Sequence, residues 1–358
     1  MKTLLYILGT RPEAVKMCPL IRTIKNRNIC HNTVFLTGQH GRAASEVLDF
    51  FEVAAHITSE AVHAPSLYML TDELFRRAEK TLAETNPDYV AVHGDTASAF
   101  TGAMAAFYRK IPILHIEAGL RTYRKYMPYP EEFFRRAIAA MAEYHFAPTE
   151  EARRHLLSEG VADDRIFVTG NTIRDAIDYG AGKSHIHCPE KPYALLTVHR
   201  RENRGEPMER IFSAIAGIAG AMPELRIVYP VHPNPAVGRA AATAFMHIPS
   251  VTLLSPLPFY DFHALLKEAL CVFTDSGGVQ EEAAAFGVPA IVLRDETERE
   301  EEKKNGALYL VGSDSGKIMD AFFKVYRHRD DNRMPCLYES SPSEKIADIL
   351  ENMFKCKL

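Results

Sequence analysis

YVAVHGDTASAFTGAMAAFYRKIPILHIEAGLRTYRKYMPYPEE, residues 89–132, decides how the chain is read. Tyr89–Val92 is a short apolar run that predicts a buried strand, and Ile111–Ile116 predicts the next. A helix-length run separates them. Asp95 and Glu117 follow these strands, and Glu131 stands at the start of a further helical stretch. Ligands bind at the carboxyl ends of the strands of an open parallel sheet. Carboxylates at such ends, rather than along a charged helix face, point to acid/base chemistry. For Asp95 taken singly, capping of the following helix is an alternative, since Asp is a favoured N-cap.

Outward from this stretch the same alternation continues. Thr3–Leu8 predicts a first strand, ending in Gly9-Thr10-Arg11-Pro12-Glu13 before a helical pattern with Val15, Cys18, Leu20, Ile21 and Ile24 apolar. Val34–Thr37 predicts a strand ending at Gly38-Gln39-His40, and the spacing of Leu67, Leu70, Leu74 and Leu82 predicts a helix over 67–83. A helix is expected from Pro130 to about Tyr144, then a short strand at 145–148, a helix at 150–160 and a strand at 166–169. Around 171–190 the periodicity weakens, and Gly180, Gly182, Pro189 and Pro192 mark a linker.

A second alternation follows. Strands are expected at 193–198, 226–230, 251–254, 270–274 and 289–293, with helices at 208–221, 260–269 and 279–286. The fold class is therefore α/β, with two Rossmann-like domains facing a cleft. A length of 358 residues suits two domains.

A net charge of −4 gives no basic footprint for nucleic acid. No apolar run approaches the ~20 residues of a membrane span, and the first strand leads directly into its turn rather than into a signal-peptide cleavage site. A cytoplasmic protein is expected. The six cysteines are scattered without a CxxC pair, which fits reduced thiols. His185-Ile186-His187-Cys188 has no second ligand cluster at zinc-like spacing, so it reads as linker and no metal site is expected.

Other turns carry chemistry of their own. Arg11 and Lys16, after the first strand, are placed for phosphate or are simply surface cations; GxGxxG is absent. Asp275-Ser276-Gly277-Gly278 ends an apolar strand and opens a helix. Its glycines let a diphosphate approach backbone N–H groups and the positive helix end. Ser276 can add a hydroxyl bond, and Glu282, about one turn in, can accept from ribose hydroxyls. A plain helix start is the alternative. His199, followed by Arg200-Arg201-Glu202-Asn203, suits stabilisation of a diphosphate. The charge run 296–304 reads either as a solvated segment or, at Arg299, as a ligand contact. GxxxxGK[ST] and GxSxG are both absent.

Taken together, the chain resembles the non-hydrolysing UDP-N-acetylglucosamine 2-epimerases. The matching pieces run in family order: GTRPEAVKMCPL (9–20), TGQH (37–40), VHGDT (92–96), HIEAGLRT (115–122), PEE (130–132), VTGNTIRDA (168–176), TVHRREN (197–203), YPVHPNP (229–235), TDSGGVQEEA (274–283) and RDETER (294–299). The resemblance implies the fold of the B-type glycosyltransferases. It implies an N-terminal domain over 1–172 carrying the carboxylates, a UDP-binding domain over 173–342, and a terminal helix over about 343–358 packed back on the first. It implies a homodimer that interconverts UDP-N-acetylglucosamine and UDP-N-acetylmannosamine for cell-surface polysaccharides, without nicotinamide, metal or other cofactor. UDP is eliminated to a 2-acetamidoglucal and added back, with the proton returning to the opposite face of C2. By the same resemblance Asp95, Glu117 and Glu131 are the acid/base residues and His199 assists at the UDP side. Arg11, Lys16, Ser276, Gly277, Gly278 and Glu282 hold UDP. A hydrolysing 2-epimerase, a glycosyltransferase of the same fold and a UDP-sugar-binding protein without turnover are the competing readings.

The chain departs from the family pattern in three places. Gly41-Arg42-Ala43 follows Gln39-His40 where the family has QHxxM, a segment linked in bacterial members to a second, activating nucleotide-sugar site. Phe134 replaces the Asn of PEExNR, removing a polar group near a carboxylate, and Glu300 replaces the Pro of TERPE.

Overall fold

The computed structural model describes residues 1–181, 183–184, 186–189, 192–295, 308–329 and 340–355. The expectations for Gly182, His185, Arg299, Glu300 and the run 296–304 lie outside the described residues. The chain forms two compact units, Met1–Ala176 with Ser340–Leu358, and Ile177–Glu339.

In the first unit the order is β1 (Thr3–Leu8), α1 (Arg11–Asn26), β2 (His31–Leu36), α2 (Arg42–Phe50), β3 (Ile57–Thr58), α3 (Leu67–Thr85), β4 (Tyr89–His93), α4 (Ala97–Tyr108), β5 (Ile113–Ile116), α5 (Glu131–Met141), β6 (Tyr144–Ala147), α6 (Glu150–Ser158) and β7 (Ile166–Val168); α7 (Ile173–Ala181) begins in this unit and ends in the second. All strands pair in parallel in the order β3-β2-β1-β4-β5-β6-β7. The direction of winding reverses between β1 and β4. Leu4–Leu8 and Val90–Val92 are buried, as a parallel sheet covered by helices on both faces demands.

The second unit runs β8 (Tyr193–Thr197), α8 (Glu206–Ala221), β9 (Arg226–Pro230), α9 (Pro235–Phe245), β10 (Val251–Leu254), α10 (Phe259–Glu268), β11 (Val272–Thr274), α11 (Gly277–Phe286), β12 (Ala290–Val292), β13 (Leu308–Leu310) and α12 (Ser315–Arg327). Its parallel sheet has the order β10-β9-β8-β11-β12-β13 and reverses between β8 and β11. The last helix, α13 (Pro342–Lys355), packs on α1 of the first unit. Arg27 of α1 reaches Glu344 at 3.0 Å, Asp348 at 2.7 Å and also Glu351, and Phe354 lies 4.9 Å from the Tyr89 ring.

The expected linker at 171–190 contains the boundary between the two units, at 176/177, but its first part is not irregular: α7 begins immediately after Thr172. Ile173, Ala176, Ile177 and Gly180 are all buried, an i, i+3, i+4, i+7 stripe. Gly180 fills its last position beside Tyr260, where a Cβ would make an ordinary contact at 3.5 Å. A glycine read as a mark of the linker lies here inside a helix. α5 ends at Met141, three residues before the expected Tyr144, which already belongs to β6.

Candidate active site

The first unit's site is assembled at the carboxyl ends of β1, β4 and β5, on both sides of the winding reversal. Gly9 opens the turn after β1. A Cβ there would lie 1.8 Å from Ser98 Oγ, so only glycine lets this turn approach α4. Thr10 then caps α1, accepting from Glu13 N, while Glu13 Oε2 accepts from Gly9 N at 3.0 Å and Thr10 N at 2.7 Å. This is a capping box. Glu13 is 1% exposed and its other oxygen accepts from Thr96 Oγ1 at 2.8 Å. Burial pushes Glu13 up to about 7, against the pull of these donors. The Thr-x-x-Glu spacing at 10–13 was the available sign of this residue in the sequence.

Thr96, not Asp95, is the N-cap of α4; its hydroxyl accepts from Ala99 N at 3.0 Å. Asp95 instead meets Arg135 of α5 at 2.5 Å. Burial raises the Asp95 pKa; Arg135 opposes this, and the charges of Glu117 and Glu131 push it further up. The carboxylates named from the sequence therefore lie within electrostatic reach of one another. Arg135 is itself 7% exposed and also stands 3.7 Å from Glu132. Glu132 anchors the preceding loop by accepting from Thr122 N at 3.1 Å and Tyr123 N at 3.0 Å. Glu131 is half-buried at the first turn of α5.

Glu117 adopts a left-handed backbone with φ 59°, a conformation that costs an L-residue about 1 kcal/mol. Such strain persists where surrounding contacts over-determine it. Here Lys16 of α1 pairs with Oε1, Asn171 Nδ2 donates to the same oxygen at 2.9 Å, and His93 Nε2 lies 3.7 Å from Oε2. Lys16 is 9% exposed and is thus directed to an acid of the site. Arg11 is exposed at the start of α1. Gln39 Oε1 accepts from Ser98 Oγ at 2.7 Å and Ser98 N at 3.0 Å, which ties the Gln39 segment to α4. Arg121, in the same run as Glu117, instead makes a two-point pair with Glu159 at 2.9 and 2.7 Å.

The second unit's cluster lies at the ends of β8 and β11, again at a winding reversal. Asp275 is fully buried and accepts from His199 N at 3.0 Å, Arg200 N at 2.9 Å and Asn203 Nδ2 at 2.9 Å. His199 Nδ1 stands 3.1 Å from Asp275 Oδ1. Burial alone would raise the Asp275 pKa, but these donors more than offset it and hold it below the usual value. Asp275 thereby orients His199, whose ring stacks on His232 with centroids 5.5 Å apart. His199 is legible in the sequence as a candidate; Asp275 and Asn203, which lie in the same turns, are brought to it only by the pairing of β8 with β11.

Ser276 is the N-cap of α11, and its side chain makes no cap bond to the helix. Gly277 is buried and Gly278 exposed at the first turn. Backbone N–H groups at such a terminus suit an anion. Glu282, one turn further, lies 3.2 Å from His263 Nε2 of α10. Among the described residues no group of His, Cys, Asp and Glu side chains could hold a metal ion, and no helix is long and apolar enough to cross a membrane.

Known proteins match this chain over almost all its length. The family model described as UDP-N-acetylglucosamine 2-epimerase matches residues 22–351. The UDP-N-acetylglucosamine 2-epimerase of Bacillus subtilis (strain 168) is 43% identical over 318 residues, 87% of this chain and 84% of that protein. The crystal structure of the Neisseria meningitidis UDP-GlcNAc 2-epimerase bound to UDP-GlcNAc superposes with a TM-score of 0.86 at 35% identity, covering 98% of this chain and 100% of that one. A glycotransferase of kitacinnamycin, 14% identical with a TM-score of 0.68 and covering 98% of each chain, shares the fold alone. The chain belongs to the UDP-N-acetylglucosamine 2-epimerase family.

Proposed function

We propose that the protein interconverts UDP-N-acetylglucosamine and UDP-N-acetylmannosamine by a non-hydrolysing route. The observation that carries this reading is the coupled set Asp95, Glu117 and Glu131, with Lys16, Asn171 and Arg135 holding two of its members. Inversion at C2 needs a group that removes a proton from one face and a group that returns it to the other. Carboxylates whose environments differ can divide that work.

A carboxylate takes the C2 proton. The C2–H electron pair becomes the C1=C2 double bond, and the C1–O bond breaks with its pair leaving on UDP. The reverse addition, with a proton delivered to the other face, completes the exchange. His199, oriented by Asp275, and the start of α11 at Ser276, Gly277 and Gly278 take the diphosphate. Arg11 adds a cation for the diphosphate, and Glu282 receives ribose hydroxyls. Lys16 is assigned to the nucleotide by family resemblance; its pairing with Glu117 adds a role in holding that carboxylate. We also propose a homodimer, supported by the exposed Tyr68, Tyr126, Tyr129 and Phe133 of the first unit. Light scattering should then give twice the 40.1 kDa of one chain.

Incubation with UDP-N-acetylglucosamine in deuterated water tests the reaction. Deuterium at C2 of both nucleotide sugars, with no free N-acetylmannosamine, is the expected result. Release of free sugar would replace this reading with the hydrolytic one. Absence of exchange at high enzyme would remove catalysis altogether.

A further inference from the structure

We infer that His93 is a positioning residue for Glu117, accepting at Nε2 a hydrogen bond from the proton that Glu117 carries on Oε2. This rests on the proposed reading in which Glu117 exchanges a proton with C2.

The two oxygens of Glu117 are in different company. Lys16 and Asn171 both donate to Oε1, so that oxygen is held as an acceptor in the carboxylate. Oε2 lies 3.7 Å from His93 Nε2. His93 is 4% exposed on β4, and its Nε2 has no hydrogen-bond partner among the described residues. In the neutral tautomer that carries its proton on Nδ1, a lone pair on Nε2 faces Oε2 across 3.7 Å, a gap that a proton on Oε2 would close to a hydrogen bond. A lone pair opposite a carboxylate is repulsive. Opposite a protonated carboxyl it is a hydrogen-bond acceptor.

Burial keeps the imidazole neutral, with a pKa near 4, Glu117 pulling it up and Lys16 pushing it down. His93 therefore stays unprotonated while Glu117 cycles. When Glu117 takes the C2 proton on Oε2, the new O–H turns to Nε2 and the sugar's electron pair forms the double bond. When Glu117 returns a proton, the bond to Nε2 breaks and Oε1 remains held by Lys16 and Asn171. One set of neighbours stabilises the base and another the acid, which a reversible reaction requires. The remaining charged or titratable groups facing this pair are Asp95, with Arg135 and Glu131 of α5 behind it, and His115 on β5. His115 is buried, its pKa lowered to about 3, and its Nε2 is engaged with the Gly94 carbonyl at 2.8 Å. It does not compete for Oε2.

The test is the pH profile of kcat and of C2 deuterium exchange for His93→Leu and His93→Gln, beside Glu117→Gln. Leu removes the acceptor but leaves Lys16 and Asn171, so the limb governed by Glu117 should move to lower pH by about one unit. The Gln carbonyl can reach the Nε2 position and should restore part of that shift. If both variants keep the wild-type profile while Glu117→Gln abolishes exchange, the role of His93 is overturned and that of Glu117 stands. If Glu117→Gln exchanges at the wild-type rate, the underlying reading falls and the inference with it. Should the Leu variant not fold, the ring nitrogens of His93 in the wild-type chain decide by nitrogen NMR. A bare Nε2 at neutral pH is expected, and a protonated one overturns the inference.

Discussion

Glu13 shows how a single side chain can serve structure and pH response together. Its carboxyl is buried and raised to about 7 by that burial. A carboxyl raised in the folded state favours folding while protonated. Its contribution is complete below its unfolded value of about 4.5 and is lost as pH rises through about 7. Denaturant titrations between pH 5 and 8 should therefore show wild-type stability falling relative to Glu13→Gln. The differential should be on the order of 2–3 kcal/mol at most. An unchanged differential would mean that the donors at Gly9, Thr10 and Thr96 hold Glu13 charged. Catalysis gives a second prediction at this scale. Asp95→Asn, Glu117→Gln and Glu131→Gln should each cut turnover about 100-fold or more while leaving UDP affinity intact, measured by steady-state kinetics and calorimetry. The positions of these acids were legible because each stands at an element end. Their partners Arg135 and Asn171 were not, because the fold brings residues 40 or more apart into contact, as in the Lys16–Glu117 pair 101 residues apart.

Phe134 belongs to the scale of elements. Read in the sequence, it replaces a polar residue near a carboxylate. In the fold its ring is 4% exposed and stacks on Phe100 of α4, with centroids 4.6 Å apart, in a cluster with Leu74 and Ala97. It helps seat α5 on α4, and α5 carries Glu131 and Arg135. Phe134→Asn, which restores the family residue, should cost about 3 kcal/mol by thermal unfolding, since it leaves a cavity and buries an amide. α13 poses the opposite question, because its most visible contacts are the ion pairs of Arg27. Those lie at the surface, where such pairs contribute little. Ile346, Ala347 and Leu350 are buried, so Leu350→Ala should cost about 2–5 kcal/mol and Arg27→Ala far less. Most strands were legible as short apolar runs. Helices α2, α7, α9 and α12 were not; in the first three, small residues hold part of the buried face, including Ala44, Ala176, Gly180 and Ala241.

At the scale of the molecule, the two sheets have separate apolar cores. One centres on Leu5, Ile7, Val90, Val92 and Ile113, the others on Ile211, Ile215, Tyr229 and Phe273 and on Leu195, Val272 and Ala290. A chain with separate cores need not unfold in one step. Most of the proposed diphosphate groups, His199 and the start of α11, belong to the second unit, and Arg11 alone of them to the first. A ligand stabilises the unit that holds it by RT ln(1 + [L]/Kd), about 2.7 kcal/mol at a hundredfold excess over Kd. UDP should therefore raise the calorimetric transition of the second unit, whereas Leu350→Ala should lower that of the first. Asp275→Asn supplies the control. It leaves a buried neutral side chain where His199 and Asn203 now meet a carboxylate, so the UDP-induced rise should shrink while the first transition stays in place. A UDP effect confined to the first transition would place the diphosphate at Arg11 and Lys16 and overturn the assignment of the nucleotide to the second sheet.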